Sequence, residues 1–213
     1  MATPLSGIDV ACPRAAIGIQ MKSILHHPAT ILAALGAVSG ALGSYGLGAN
    51  VGDAPALGLY MVFAGLWFGL VIGYGLWRWG DRSLRTAGIA VAATWIAWEA
   101  AVNVGLQLDQ RWLVGTAVPD GLKSYVTGFA AGGIGALLTW LGAALTTPSL
   151  RQASTAGLVV STGALFGLLL PATNQYDYPA ILLLPWQAAV AAALGLSLAA
   201  GCSRVDLSRA TRA

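Results

Sequence analysis

One apolar segment of the sequence carries a stripe of side chains that could bind a proton, a cation or a polar solute. Trp95, Glu99, Asn103 and Gln107 follow one another at intervals of four residues, so on an α-helix they project from one face. The segment is long enough to cross a bilayer, and an ionisable side chain at membrane depth marks a functional site by default. The carboxyl group would accept the proton or cation, the amides would supply hydrogen bonds, and the indole ring would wall the site.

A second apolar segment offers a partner for this stripe. No Lys or Arg lies at the depth of Glu99 in any apolar segment, so we expect the carboxyl group to be uncharged at rest and to pair with neutral groups. Gln187 follows Asp177 by ten residues, just as Glu99 precedes Asp109 by ten, which gives the two side chains a common depth. The predicted site is therefore Glu99, Asn103, Trp95 and Gln187, and the secondary candidates are Trp98, Gln107, Asn174 and Asp177. The sequence leaves equally open that Glu99 only joins helices through hydrogen bonds.

Motifs for catalysis, metal binding or cofactor binding do not accompany the stripe. The two histidines, His26 and His27, are adjacent, and the two cysteines, Cys12 and Cys202, are far apart, so neither pair predicts a metal site or a disulfide framework. No glycine loop follows a strand, and no His-Glu-x-x-His run is present. We therefore predict no catalytic residue, no metal and no cofactor.

The composition indicates that lipid is the solvent for most of the chain. Of the 213 residues, 57% are hydrophobic and 9% are charged, and the mean hydropathy is +0.72, whereas a soluble domain has about 25% charged residues. The formal charge of +3 comes from short basic clusters between apolar runs, a pattern typical of membrane topology rather than of nucleic-acid binding. The predicted partner is the lipid bilayer, with no nucleic acid.

Six apolar segments, each close to the roughly 20 residues of a membrane helix, predict an all-α bundle of six transmembrane helices. We place the spans at 29–49, 55–77, 86–108, 125–146, 154–173 and 180–202. They define a transmembrane domain over residues 24–203, preceded by a tail over 1–23 that contains a basic stretch suited to an interfacial helix. A second tail follows over 204–213.

The basic residues predict the orientation of these spans. With both termini in the cytoplasm, that side holds nine of the 11 Lys and Arg residues, and the opposite side holds only Arg111 and Lys123. This asymmetry follows the positive-inside rule and favours an even number of spans. We expect a bacterial-type cytoplasmic (inner) membrane, with both termini inside.

Small residues at four-residue intervals predict close helix packing. Gly36, Gly40, Ser44 and Gly48 form one such face, and Gly65, Gly69 and Gly73 form another; faces of this kind let membrane helices approach closely. They suit packing within the bundle, contact with other membrane subunits, or self-association. A Ser-Leu-Arg sequence at 83–85 and again at 149–151 leaves open a duplicated helical hairpin.

Three functional hypotheses follow from these patterns. The first is a small-solute or ion- or proton-coupled transporter with a polar site around Glu99 in the outer half of the membrane. The second is a non-catalytic accessory or assembly subunit of a larger complex, suggested by the small-residue faces and short loops. The third is an intramembrane enzyme that modifies lipids through Glu99 or Asp177.

Overall fold

The computed structural model describes residues 27–45, 53–80 and 82–210, with side chains described up to residue 201. Within these ranges the chain is helical, and its only β-type pairing is an isolated bridge between Ala54 and Leu59. The α-helices are α1 (Pro28–Ser44), α2 (Val62–Trp79), α3 (Leu84–Gln107), α4 (Asp120–Thr146), α5 (Ala153–Gly167), α6 (Leu170–Tyr176) and α7 (Ala180–Ala210). Shorter turns are 3₁₀-helices at Pro55–Leu57 and Pro148–Leu150 and a π-helical turn at Leu108–Trp112, which extends α3.

The helices confirm the predicted all-α membrane bundle. Five helical stretches of the described chain are long and apolar enough to cross a membrane, namely Val62–Trp79, Leu84–Trp112, Asp120–Thr146, Ala153–Tyr176 and Ala180–Gly201. The apolar helix α1 has 17 described residues, somewhat fewer than the roughly 20 that span the hydrocarbon core without thinning it. The predicted N-terminal tail over 1–23 lies outside the described residues, and α7 continues to Ala210, past the predicted start of the C-terminal tail.

The helices pack as a closed ring in the order α1, α2, α3, α4, α5 and α7, with α7 returning to α1. The most extensive contact joins the first and last helices, α1 and α7. Buried side chains in the centre include Phe68 of α2 and Trp186 of α7, whose ring centroids are 5.5 Å apart. Because successive helices alternate in direction, the segment before α2, the segment after α3 and the turn before α7 share one end of the bundle, here named the outer end.

Glycines allow the closest helix contacts inside this ring. A Cβ atom at Gly36 of α1 would come within 2.6 Å of the backbone oxygen of Gln187, and one at Gly40 within 2.6 Å of that of Leu183. Gly69 meets the backbone of α3 in the same way, at Val91. The glycines of these two faces that the structure describes therefore meet neighbouring helices of the same chain, and Gly48 lies outside the described residues.

Several helices differ in detail from the predicted spans. Helix α2 begins at Val62 rather than at 55, because Gly58 and Met61 adopt left-handed backbone conformations with φ of 70° and 53°, which a right-handed helix cannot include. The fifth span is divided between α5 and α6 by a turn at 168–169. Helix α7 contains Pro185 and continues without interruption past it.

Candidate functional site

Glu99 lies on α3 and holds the segment that precedes α2. Its side chain is only 8% exposed, and the carboxylate oxygen Oε2 accepts a hydrogen bond of 2.9 Å from the backbone N–H of Tyr60. The segment 53–61, here named the outer loop, cannot satisfy this N–H within a helix, because Tyr60 stands before the first turn of α2. The buried carboxyl group therefore joins α3 to the outer loop.

Asn103 forms a second connection between α3 and the outer loop, one helical turn nearer the outer end. Its amide nitrogen Nδ2 donates to the backbone oxygen of Gly58 at 2.7 Å and to that of Glu99 at 2.8 Å. A Cβ atom at Gly58 would lie 3.3 Å from the Asn103 side-chain oxygen. Glycine at 58 thus satisfies both the left-handed backbone conformation and the close approach of α3.

The outer loop also has an internal framework. Ala54 and Leu59 exchange two backbone hydrogen bonds across the 3₁₀ turn, of 3.0 and 3.2 Å. The Asp53 carboxylate accepts a 2.6 Å hydrogen bond from the backbone N–H of Met61, and it is close enough to Glu99 for two negative charges there to repel. Two carboxyl groups therefore hold the backbone N–H groups of consecutive residues, Tyr60 and Met61.

Part of the hydrogen-bonding capacity around Glu99 is unused. Its second oxygen, Oε1, is buried and has no hydrogen-bond partner among the described residues. The indole of Trp95 faces the same carboxyl group, but its buried N–H makes no hydrogen bond of good geometry within the described chain. Glu99 and Asn103 are thus brought together beneath the outer loop and Trp95 lies beside Glu99, whereas Gln107, half-buried, ends α3.

Gln187 belongs to a separate hydrogen-bonded group. It is fully buried on α7, and its side-chain oxygen accepts a hydrogen bond from the hydroxyl group of Ser39 on α1. Its amide nitrogen is buried without a partner in the described part of the chain. No hydrogen bond links Gln187 to Glu99 among the described residues, because the close glycine contacts between α1 and α7 turn Gln187 towards α1.

The secondary candidates fall into different surroundings. Trp98 is buried, and its ring centroid lies 6.2 Å from that of Trp186. Trp98 and Asn174 line a cavity of about 310 Å³ that extends between α3, α4, α6 and α7. Asp177 is exposed at the left-handed residue that ends α6.

Sequence reasoning did not identify the contributions of Asp53, Gly58 and Met61 to the connection with α3. The predicted span 55–77 includes Gly58 and Met61 because of its apolar character, and it leaves Asp53 in the loop before it. The sequence did contain a signal for a turn here, because Pro55 and Gly58 stand three residues apart.

The chain gives no match to protein-family models, to curated proteins or to solved structures. Among the described residues, no group of three His, Cys, Asp or Glu side chains is arranged to hold a metal ion. The chemistry available at this site is therefore that of one buried carboxyl group, one amide and an indole, all next to a backbone segment outside regular structure.

Proposed function

We propose that the protein is a small transporter-like membrane protein in which Glu99 accepts a proton or a cation beneath the outer loop. The observation that carries this proposal is the unequal use of the carboxyl group: Oε2 holds Tyr60, whereas Oε1 is buried and without a partner in the described chain. Leaving a buried polar atom unsatisfied costs about 1–3 kcal/mol. A cation or a protonated water beside Oε1 would recover part of that free energy.

The charge of Glu99 affects how firmly the outer loop is held. An ionised carboxylate is a stronger hydrogen-bond acceptor than a neutral acid, so ionisation strengthens the bond to the Tyr60 N–H. The same negative charge is repelled by Asp53, which holds the adjacent Met61 N–H. Binding of a proton or a cation at Glu99 changes both interactions together, and so it would couple occupancy of the site to the position of the loop.

The orientation proposed from sequence places this site in the outer half of a bacterial-type cytoplasmic membrane. It rests on nine of the 11 Lys and Arg residues falling on the side of the two termini. The accessory-subunit alternative was suggested by small-residue faces, and those of α1 and α2 pack against helices of this chain. Stable co-purification with a larger membrane complex would restore that alternative.

The test is a measurement of charge movement at Glu99. Proteoliposomes adsorbed on a solid-supported membrane are exposed to a step in external pH and, separately, to a step in Na⁺ concentration. We expect a transient current in the wild-type protein and its loss in Glu99→Gln, because the amide can still accept the Tyr60 N–H but cannot bind a proton or compensate a cation.

Asp177→Asn is the matched control, since it removes a carboxyl group from the exposed outer turn and should leave the current unchanged. A current that persists in folded Glu99→Gln, or the absence of any current from the wild type in both steps, would show that Glu99 has only a structural role.

A further inference from the structure

A second feature of the outer half is the cavity between α3, α4, α6 and α7, which the Glu99 site does not use. Along α3 its wall runs from Trp98 to Asp109, about 16 Å at 1.5 Å per residue. The volume of about 310 Å³ spread over that length gives a mean cross-section of about 20 Å². The wall along α3 is therefore long enough to contact one extended hydrocarbon chain.

The size of the cavity is that of a binding site. Ligand pockets have volumes of about 300–1,000 Å³, and a dry apolar cavity of about 150 Å³ holds one benzene molecule. The present volume of about 310 Å³ has room for roughly twice as many carbon atoms, about a dozen. Most of the wall is apolar, with the indole rings of Trp98 and Trp186 in contact at the inner end.

The polar groups of the cavity are concentrated at its outer end. Asp109 and Asn174 are exposed side chains at the rim, and Asp109 is the one charged residue among the described residues of the lining. Deeper in the wall, Trp98 and Thr127 are more than nine-tenths buried, and their indole N–H and hydroxyl groups have no partner in the described structure. An occupant with an apolar chain and a cationic outer end matches the apolar wall and the exposed carboxylate at the rim, and it leaves the Trp98 N–H and the Thr127 hydroxyl group without a partner.

We infer that the cavity binds a single-chain cationic amphiphile, whose hydrocarbon chain extends to Trp98 and Trp186 and whose positive head lies beside Asp109. The amphiphile enters at the outer membrane–water interface, because the exposed rim residues lie there. This inference stands on the cavity and is independent of whether Glu99 binds a proton or a cation.

The probes are three amphiphiles that carry bromine at the end of the same undecyl chain: 11-bromoundecyltrimethylammonium, 11-bromoundecanol and 11-bromoundecanoate. Bromine quenches tryptophan fluorescence on contact, so a chain inserted to the inner end quenches Trp98 and Trp186. Titration into protein held in lipid nanodiscs separates two effects. Partition into the lipid quenches exposed rings such as Trp77 and Trp112 in proportion to probe concentration, whereas binding in the cavity saturates.

Gly105→Leu is designed to fill the cavity. Gly105 lies in its wall, and a Cβ atom there would meet Ala131 and Thr127 only at ordinary contact distances of 3.5 and 3.8 Å. The matched control is Gly88→Leu on the same helix, where a Cβ atom meets nothing within 4 Å. We expect Gly105→Leu to weaken saturable binding at least tenfold and Gly88→Leu to leave it unchanged.

Asp109→Asn tests the position of the cationic head without disturbing the interior. Exposed charge pairs are worth about 0.2–1 kcal/mol, so the variant should weaken ammonium binding by about 1.5- to 5-fold and leave binding of the alcohol unchanged. If Gly105→Leu proves unstable in a thermal unfolding assay, Ala131→Leu fills the same wall from α4.

The inference is supported by saturable quenching that is strongest for the ammonium probe, sensitive to cavity filling and reduced by Asp109→Asn. Quenching that stays linear for all three probes overturns the binding site. Equal binding of the three probes, or no effect of Asp109→Asn, overturns the assignment of a cationic head.

Discussion

The connection between α3 and the outer loop can be broken at either of two hydrogen bonds, which differ in strength. Glu99→Leu removes an acceptor from the Tyr60 N–H, and that hydrogen bond contributes about 1.5–3 kcal/mol when the carboxyl group is ionised and about 0.5–1.5 kcal/mol when it is uncharged. Asn103→Leu removes a neutral donor from the Gly58 carbonyl group, worth about 0.5–1.5 kcal/mol. Glu99→Gln keeps an acceptor in place and should cost less than about 1 kcal/mol.

Hydrogen–deuterium exchange of the peptide that covers residues 53–61 measures these differences. Since 1.4 kcal/mol corresponds to a factor of ten in an equilibrium constant, Glu99→Leu should speed exchange of the outer-loop amides by about 10- to 100-fold at a pH at which Glu99 is ionised. The corresponding factor for Asn103→Leu is about 2- to 12-fold, and Glu99→Gln should change exchange least. Exchange in α4, which does not bond to the outer loop among the described residues, should be unaffected.

Gln107→Leu is the control for hydrophobic substitution on the same stripe, because Gln107 makes no hydrogen bond to the outer loop within the described chain. The reasoning is refuted if Glu99→Leu leaves outer-loop exchange at the wild-type rate, or if Gln107→Leu accelerates it as much as Asn103→Leu does. Either result would mean that the loop is held by packing and not by the two polar side chains of α3.

Three further predictions concern stability, each measured as thermal unfolding in detergent. Gly36→Leu should destabilise the protein by about 3 kcal/mol or more, because even its Cβ atom would meet the Gln187 backbone at 2.6 Å, whereas Gly88→Leu should be neutral or stabilising by up to about 1 kcal/mol. Arg82→Gly should stabilise it by about 1 kcal/mol, because Arg82 is exposed and its left-handed conformation, with φ of 59°, costs a residue with a Cβ atom about 1–2 kcal/mol. Replacing both Ser39 and Gln187 by Ala and Leu should be nearly neutral, whereas Ser39→Ala alone should cost about 1–3 kcal/mol, because it leaves Gln187 buried without its partner.

The positions of the membrane helices were predictable because they depend on hydropathy alone. The predicted spans of about 20 apolar residues, separated by charges and turns, give both ends of α3 to within about two residues. They also give the first residue of α7. The outer loop was not predictable in the same way. Its sequence from Pro55 to Met61 is as apolar as a membrane helix, and its departure from a helix depends on two left-handed backbone conformations that hydropathy does not register.

Of the predicted stripe on α3, Glu99 and Asn103 contact the same segment in the structure. The pairing of Glu99 with Gln187 was predicted from their common depth, which is a weaker basis. Depth in the membrane follows from sequence position, whereas the direction of a side chain depends on the rotation of its helix about the helix axis. On α7 that rotation is fixed by Gly36 and Gly40, which bring α1 against the backbone of α7. Those contacts could not be inferred from the composition of either helix alone.

Met61 connects the Glu99 site to the cavity. Its backbone N–H is held by Asp53 at the end of the outer loop, and the same residue forms part of the cavity wall. If binding at Glu99 displaces Tyr60, as we propose, the adjacent Met61 would transmit that displacement to the cavity wall. If the two proposals are both correct, thermodynamic linkage requires the effect to be reciprocal. A pH step that alters the affinity for 11-bromoundecyltrimethylammonium must then be matched by an equal shift, caused by the amphiphile, in the pH dependence of the transient current. In Glu99→Gln the contribution of Glu99 to the pH dependence of the affinity should disappear, whereas in Gly105→Leu the current should remain and lose its sensitivity to the amphiphile.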